Sequence, residues 1–428
     1  MEVALPIKLK KVLRPFIISI LSIFSGWAHG QNILISAENV FDGQEMKRNW
    51  GVVISGNYIL EVAPVNKITS SVDSTIYLDN GTLMPGMIEG HSHVLLYPYD
   101  QTNWNDQVLK ESRSLRAIRG AKMANQNLKA GFTTIRDLGS EGAGYADVGI
   151  KQSIELGIIE GPRMLVAGRA IVATGSYGPK GFHSDFDVPL GAEPADGENL
   201  RTVVRDQIGK GADFIKVYAD YRWGPKKEAR PTFSIEELKL IVETAASSGR
   251  DVVAHASTAE GMRRAALAGV KTIEHGSSAT LEVLQLMKDR NVALCPTLAA
   301  TDAIQRYFYG WDGSDDTETE VIREKRNMFK MALESGVTIV AGGDVGVFEH
   351  GENARELVLM VEYGMPELDV LRSVTSVNAE VFGLQNLGRL EEGYLADMVF
   401  VNGDPSKEIE KLFEVELVIR GGKKVRLD

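Results

Sequence analysis

Short apolar segments alternate with longer amphipathic segments through most of the chain. The apolar segments have the length of buried strands, and the segments between them carry apolar residues at helical spacing. The strand candidates end at or near His91, Asp137, Gly168, Tyr218, His255, His275, Pro296 and Asp344. The helix candidates cover residues 106–130, 200–211, 234–248, 259–268, 279–290 and 318–335. Eight strand–helix alternations predict an α/β fold, a (β/α)8 TIM barrel over residues 85–387, with its chemistry at the strand ends.

The two ends of the chain share a different pattern. Residues 32–82 and 397–422 are divided into short β segments by turn pairs such as Asp42-Gly43 and Asn402-Gly403. Strands this short need partners to form a stable sheet. We therefore expect residues 31–84 and 388–428 to form one small composite β-sandwich domain.

The first thirty residues differ from the rest of the chain in composition. Lys8, Lys10, Lys11 and Arg14 precede an apolar run over residues 16–24, and small residues follow near position 30. This pattern is typical of a secretory signal peptide, and the run is shorter than the roughly 20 residues of a membrane-spanning helix. We expect residues 1–30 to be removed before Gln31 and the mature protein to be exported, either periplasmic or secreted.

The composition and net charge of the chain limit the kinds of molecule that it is expected to bind. The chain has 44% apolar and 25% charged residues, as ordinary globular proteins do, and loss of residues 1–30 leaves a net charge near −14. Such a charge repels nucleic acids and anionic lipids, so we expect neither as a partner and no stable membrane insertion after cleavage. The single cysteine, Cys295, cannot form an internal disulfide and lies in an apolar run. A homo-oligomer remains open.

Six side chains at the predicted strand ends form a candidate ligand set for divalent metal. They are His91, His93, Lys216, His255, His275 and Asp344. Alternation along a strand turns residues i and i+2 to the same side, which explains the spacing of the first two histidines. Imidazoles and a carboxylate are what zinc selects in proteins. A lysine becomes a ligand after reaction with carbon dioxide, because the carbamate is an anion whose two oxygens can bridge two metals.

Several motifs that contain these residues resemble the amidohydrolase superfamily, and within it the imidazolonepropionase-like and Xaa-Pro dipeptidase-like group. The motifs cover residues 84–93, 131–137, 211–216, 268–276 and 388–397, and the resemblance extends over residues 32–428. It implies two divalent metal ions, with zinc expected. One is held by His91, His93 and Asp344, the other by His255 and His275, and N-carboxylated Lys216 bridges them.

The resulting functional prediction is hydrolysis of an amide-type C–N bond of a small substrate by a metal-activated hydroxide. Asp344 is expected to accept the proton of the attacking water and to deliver it to the leaving nitrogen. His275, or a donor from a loop, is expected to stabilise the oxyanion. Two alternatives stay open: a cyclic amidase or imidazolonepropionase-like ring opener, and a non-catalytic binding protein on the same frame.

Three loops after the strands are candidates for substrate binding. The candidate residues are Tyr177, His183, Tyr218, Tyr221, Arg222 and His350. Arg222 could hold a substrate carboxylate in bidentate fashion, which favours a dipeptide or an N-acyl amino acid. Dipeptidase-like relatives tend to have histidine where this chain has Tyr177 and an aromatic residue where it has Ser257, so the resemblance leaves the substrate open.

Overall fold

The computed structural model describes residues 31–183 and 185–427. The predicted signal peptide, residues 1–30, lies outside this range. The helices within the described ranges are all too short or too polar to cross a membrane.

Strands and helices alternate along the described chain. The strands are β1 (Asn32–Phe41), β2 (Met46–Ser55), β3 (Tyr58–Pro64), β4 (Ser74–Pro85), β5 (Met87–Ser92), β6 (Phe132–Asp137), β7 (Arg163–Val166), β8 (Ile171–Val172), β9 (Glu193–Pro194), β10 (Ile215–Tyr218), β11 (Asp220–Arg222), β12 (Ala229–Pro231), β13 (Val252–Thr258), β14 (Thr272–Ser278), β15 (Ala293–Cys295), β16 (Met398–Asn402), β17 (Val415–Arg420) and β18 (Lys423–Lys424). The α-helices are α1 (Trp104–Lys110), α2 (Arg113–Lys129), α3 (Ala146–Glu155), α4 (Asn199–Gly209), α5 (Ile235–Ala246), α6 (Ala259–Ala268), α7 (Leu281–Asp289), α8 (Leu298–Tyr309), α9 (Glu320–Ser335), α10 (Ala354–Glu362), α11 (Glu367–Arg372) and α12 (Asn378–Val381). The fold is therefore mixed α/β.

Both ends of the chain contribute strands to one mixed sheet of order β18-β17-β16-β4-β1-β2-β3. The strand β4 lies in the middle, pairing in parallel with β1 and antiparallel with β16. One face buries a cluster that includes Ile35, Val52, Leu83 and Phe400. All seven strands are hydrogen-bonded in one continuous sheet, and the pairing of β4 with β16 joins the strands from the two ends of the chain.

Parallel strands make up the other large sheets. One has the order β5-β6-β7 and the other β15-β14-β13-β10-β8-β9. The predicted eighth strand, ending at Asp344, is reduced to isolated bridges from Ile339 to Leu294 and from Val345 to Ser92. Glycine interrupts it: a Cβ on Gly342 would lie 2.6 Å from the backbone nitrogen of His91. The segment can therefore approach β5 this closely only because position 342 has no side chain.

The six helix candidates are present with one clear difference. The sequence predicts a single helix over residues 106–130, but the chain breaks between α1 and α2 at Glu111 and Ser112. The Ser112 hydroxyl accepts a hydrogen bond from the Leu115 backbone nitrogen and so caps α2. A serine cap favours a new helix start over continuation of α1.

Arg136 on β6 crosses the interior of the parallel strands. Its side chain, 3% exposed, donates to the carbonyl oxygen of Gly90 at 2.7 Å and to Glu274 Oε1 at 2.9 Å. The guanidinium also lies 4.0 Å from the ring centre of Phe382. Arg136 therefore links β5, β6 and β14 through a charge that is both paired and hydrogen-bonded.

Asp397 connects the mixed sheet to the parallel strands, which generates a stability prediction. Its buried carboxylate accepts two hydrogen bonds from Arg163 on β7, at 2.7 and 3.1 Å, and one from the Gly421 backbone nitrogen at 2.6 Å. Asp397→Ala should lower the free energy of unfolding by about 3 kcal/mol, because it leaves Arg163 and Gly421 without their acceptor. Urea titration measures this. Exposed Glu391→Ala is the control, and equal midpoints for the two variants would contradict the assignment.

Candidate metal centre

The predicted strand ends converge on one cavity of about 270 Å³. All six candidate ligands line it, together with aromatic and small polar side chains from the loops. The lining residues are His91, His93, Leu96, Tyr99, Glu141, Tyr177, Lys216, Tyr218, Tyr221, Arg222, His255, Ser257, His275, Ser277, Thr297, Ala300, Thr301, Ile304, Asp344 and Val347. Side chains as far apart in the sequence as His91 and Val347 thus line the same cavity.

Asp344 lies between the first two histidines. Its Oδ1 is 3.6 Å from Nε2 of His91 and 3.4 Å from Nε2 of His93. Two ligand atoms at about 2.0–2.1 Å from a tetrahedral zinc are about 3.3 Å apart, so these separations suit a shared cation. Asp344 Oδ1 is buried and has no hydrogen-bond partner in the described part of the chain. A buried carboxylate oxygen without a partner is costly, and a bound cation would satisfy it.

The other two histidines lie on the neighbouring strands β13 and β14. The ring centres of His255 and His275 are 4.5 Å apart, and His255 stacks on the ring of Tyr218, also at 4.5 Å. Nδ1 of His275 is 4.0 Å from Asp344 Oδ2. Ligand atoms of His91, His275 and Asp344 all lie within 4.8 Å of one another. Asp344 therefore lies close to His275 as well as to the first two histidines.

Hydrogen bonds at Nδ1 orient the imidazole rings of His91 and His93. His91 Nδ1 donates to Glu274 Oε2 at 2.8 Å, and His93 Nδ1 donates to the carbonyl oxygen of Gly139 at 2.9 Å. Each bond places the proton on Nδ1 and leaves Nε2 free to bind a metal. His275 Nδ1 lies 2.8 Å from the Thr297 hydroxyl.

Burial controls the charge of the site. It lowers the pKa of His91, His255 and His275 well below the ordinary range, with help from neighbouring positive charges. Neutral imidazoles are the form that binds metals. Burial also lowers the pKa of the Lys216 amine, although Glu274 and Asp344 oppose that shift. A lysine with a lowered pKa is more often unprotonated, which is the form that reacts with carbon dioxide.

Several cavity residues have a strained backbone. The φ angle is +63° at Asp344, +77° at His275, +48° at Thr297 and +46° at Glu141. Non-glycine residues rarely adopt such angles, and the strain persists only where surrounding contacts maintain it. Its concentration around this cavity supports a functional role for the site.

The predicted substrate-binding residues divide into two groups. Tyr177, Tyr218 and Tyr221 line the cavity, and their ring centres lie 4.8–5.8 Å from one another. Arg222 lies at the mouth, on the β11–β12 hairpin, with its guanidinium 5.8 Å from the ring centre of Tyr221. These four side chains are therefore available to a substrate.

His183 and His350 are not part of the cavity lining. His183 is exposed on the long loop after β8, with its Nδ1 3.4 Å from Asp185 Oδ2. His350 is buried, accepting a hydrogen bond from Asn127 Nδ2 at 3.2 Å and donating to the Leu96 carbonyl oxygen at 3.3 Å. The structure therefore corrects the prediction that these two histidines line the substrate pocket.

Four residues without a predicted role also contact the site or line its cavity. Glu274 and Thr297 contact ligand histidines, and buried Asp220 accepts bonds from the backbone of Ser257 and Thr258. Glu141 enters the cavity from a glycine-rich loop. Of these four residues, only Glu274 stands out in the sequence, because it is a carboxylate within an apolar strand and next to His275.

The burial of His350 generates a prediction about pH. Burial lowers its pKa to about 4, below the value near 6.5 of an unfolded chain. The unfolded state therefore binds the proton first, and stability that is present above pH 6.5 is lost as the pH falls towards 4. Over that interval wild type should lose about 3 kcal/mol more unfolding free energy than His350→Asn. Urea titrations at several pH values test this, and parallel curves would refute it.

Comparison with known proteins identifies the family. Residues 82–425 match the amidohydrolase family. An ochratoxinase from Aspergillus niger is 32% identical over 425 residues, with 89% of this chain and 84% of the relative covered. A solved Xaa-Pro dipeptidase with methionine bound in its active site has a TM-score of 0.81 and 30% identity, covering 92% of this chain and 100% of that chain. A prolidase complexed with N-methylphosphonate-L-proline has a TM-score of 0.80 and 29% identity, covering 92% and 100%.

These matches agree with the resemblance inferred from the motifs, and the family match alone covers residues 82–425. The chain belongs to the amidohydrolase family of metal-dependent hydrolases that act on amide-type carbon–nitrogen bonds.

Proposed function

We propose that this protein uses two divalent metal ions to hydrolyse the amide bond of a dipeptide or an N-acyl amino acid. Zinc is the metal that we expect. The observation that carries the proposal is the convergence of four histidines, Lys216 and Asp344 on one cavity. The relatives support the choice of substrate: one is a Xaa-Pro dipeptidase, one a prolidase and one an ochratoxinase.

The donor set divides between two ions. His91, His93 and Asp344 would hold one, His255 and His275 would hold the other, and Lys216, carboxylated on Nζ, would be a further ligand. Bound there, two cations would lower the pKa of water towards neutrality and polarise a substrate carbonyl. The orphaned oxygen of Asp344 and the neutral imidazoles support this assignment.

The side chains of the protein carry out the remaining steps. Water adds to the amide carbon, the C–N bond breaks, and the products are a carboxylate and an amine. Asp344 accepts the proton of the attacking water and returns it to the leaving nitrogen. His275 would act on the developing oxyanion through the ion it holds, because its Nδ1 already lies 2.8 Å from the Thr297 hydroxyl and its other ring nitrogen would bind that ion. Arg222 binds the substrate carboxylate, and the three cavity tyrosines pack against its side chains.

We also infer that the parallel segments close into one (β/α)8 barrel over residues 85–387, with residues 31–84 and 388–428 as a β-sandwich domain beside it. The backbone nitrogen of Asp213 donates to the carbonyl oxygen of Val166 at 2.8 Å, which supports contact between β7 and the approach to β10. Bridges at Ile339 and Val345 support contact of the last segment with both its neighbours.

We further propose that residues 1–30 are a cleaved signal peptide and that the mature chain is periplasmic or secreted. The four basic residues before an apolar run support this.

The role of Asp344 generates a kinetic prediction. Asp344→Asn should lower kcat/KM on dipeptides by about 10²–10⁴-fold, the usual contribution of a general acid–base group. Removal of metal with a chelator should abolish activity, and added zinc should restore it in wild type. Asp289→Asn, an exposed change on α7, serves as the control. Full activity after exhaustive chelation would contradict the proposed function.

A substitution at Arg222 distinguishes hydrolysis of a dipeptide from ring opening of a cyclic amide. Arg222→Met keeps the apolar stem but removes the guanidinium, so kcat/KM on dipeptides should fall by about 10–100-fold. A cyclic imide lacks the carboxylate, and its turnover should not change. Lys226→Met on the same hairpin loop is the matched control, since Lys226 is exposed. An equal loss on both substrates would argue against a carboxylate contact, and turnover of the imide alone would favour the ring-opening alternative.

A further inference from the structure

We propose that Glu141 binds the protonated α-amino group of the substrate, which makes dipeptides with a free N terminus, rather than N-acyl amino acids, the preferred substrate class. This inference rests on the proposed amide hydrolysis and narrows its substrate.

Glu141 presents one free carboxylate oxygen. The residue follows β6, is 4% exposed and lines the cavity. Both donors to its side chain bind the same oxygen: Trp104 Nε1 lies 2.8 Å from Oε2, and the Tyr177 hydroxyl lies 2.7 Å from it. No described residue donates a hydrogen bond to Oε1. A carboxylate can accept several hydrogen bonds, so the second oxygen retains its full capacity for a ligand.

The backbone around Glu141 is held rigidly. Buried Arg116 donates to the carbonyl oxygen of Glu141 at 2.6 Å and to that of Ser140 at 3.3 Å. The φ angle of +46° at Glu141 is a strained conformation that these contacts maintain. An acceptor fixed before the ligand arrives binds it without a further ordering cost.

The position of the charge suits a cation on the substrate. Of the two carboxylates that line the cavity, Asp344 lies among the histidines and Lys216, whereas Glu141 lies beside Trp104 and Tyr177. Trp104 and Tyr177 present an N–H and an O–H to one oxygen of Glu141, which leaves the other oxygen to accept a hydrogen bond from an ammonium group. With Arg222 at the mouth, the cavity offers separate groups of opposite charge for the two ends of a zwitterionic dipeptide.

Two substrates isolate the ammonium group. L-alanyl-L-phenylalanine and N-propionyl-L-phenylalanine share the scissile bond, the carboxylate and the carbon skeleton, and differ in the α-amino group alone. The metal-loaded wild-type protein should prefer the dipeptide by about 10–100-fold in kcat/KM, the range of one charged hydrogen bond. This comparison needs no variant and so does not depend on whether any variant folds.

Glu141→Gln tests the residue itself. Glutamine keeps one oxygen to accept from Trp104 and Tyr177 and replaces the free oxygen by an amide donor. It should lower kcat/KM on the dipeptide by about 10–100-fold, with little change on the N-propionyl compound. Glu334→Gln, an exposed change on α9, is the control and should leave both values as in wild type.

The outcomes separate the two proposals. Equal use of both substrates by wild type, or an equal loss on both in Glu141→Gln, would overturn the assignment of Glu141 and leave amide hydrolysis intact. The equal loss would indicate that the residue only positions Trp104 and Tyr177. Hydrolysis of neither compound by wild type would count against the proposed function and, with it, this inference.

Discussion

Four backbone hydrogen bonds between residues 90–93 and the segment 341–345 hold the first and last candidate ligands together. Gly90 N donates to Ala341 O at 3.0 Å and His93 N to Val345 O at 2.8 Å, while His91 O accepts from Asp344 N at 2.8 Å and from Val345 N at 3.2 Å. The buried carboxylate of Glu89 accepts from both segments, and burial raises its pKa to about 7. These contacts place Asp344 beside two imidazoles although 250 residues separate them along the chain.

The chemistry of the cavity follows from that convergence and from burial. A cluster of imidazoles could be charged in water, but burial lowers the pKa of His91, His255 and His275 and so favours neutral rings with available electron pairs. The same burial makes the unpaired oxygen of Asp344 costly without a cation. The donor set therefore fits the metal dependence of the family, and charged and aromatic side chains surround it in the same cavity.

Local patterns in the sequence predicted the strand ends well because strand alternation is a short-range property. His91, Lys216, His255 and His275 lie on parallel strands as that pattern predicts, whereas the strand expected before Asp344 is reduced to isolated bridges. Loop residues lack such periodicity. The entry of Glu141 into the cavity depends on Arg116, a distant residue on α2, and the position of His350 depends on packing against Asn127. The helix break at Ser112 is a choice between continuation and a cap, which sequence pattern alone did not settle.

X-ray diffraction from crystals of the zinc-loaded protein, recorded on both sides of the zinc absorption edge, tests the proposed metal centre most directly. Two anomalous peaks are expected in the cavity, one bonded to His91, His93 and Asp344 and the other to His255 and His275. Density for a carboxylated Lys216 is expected between them. Fully loaded crystals with no peak in the cavity, or with zinc bound by other residues, would contradict the proposed metal centre.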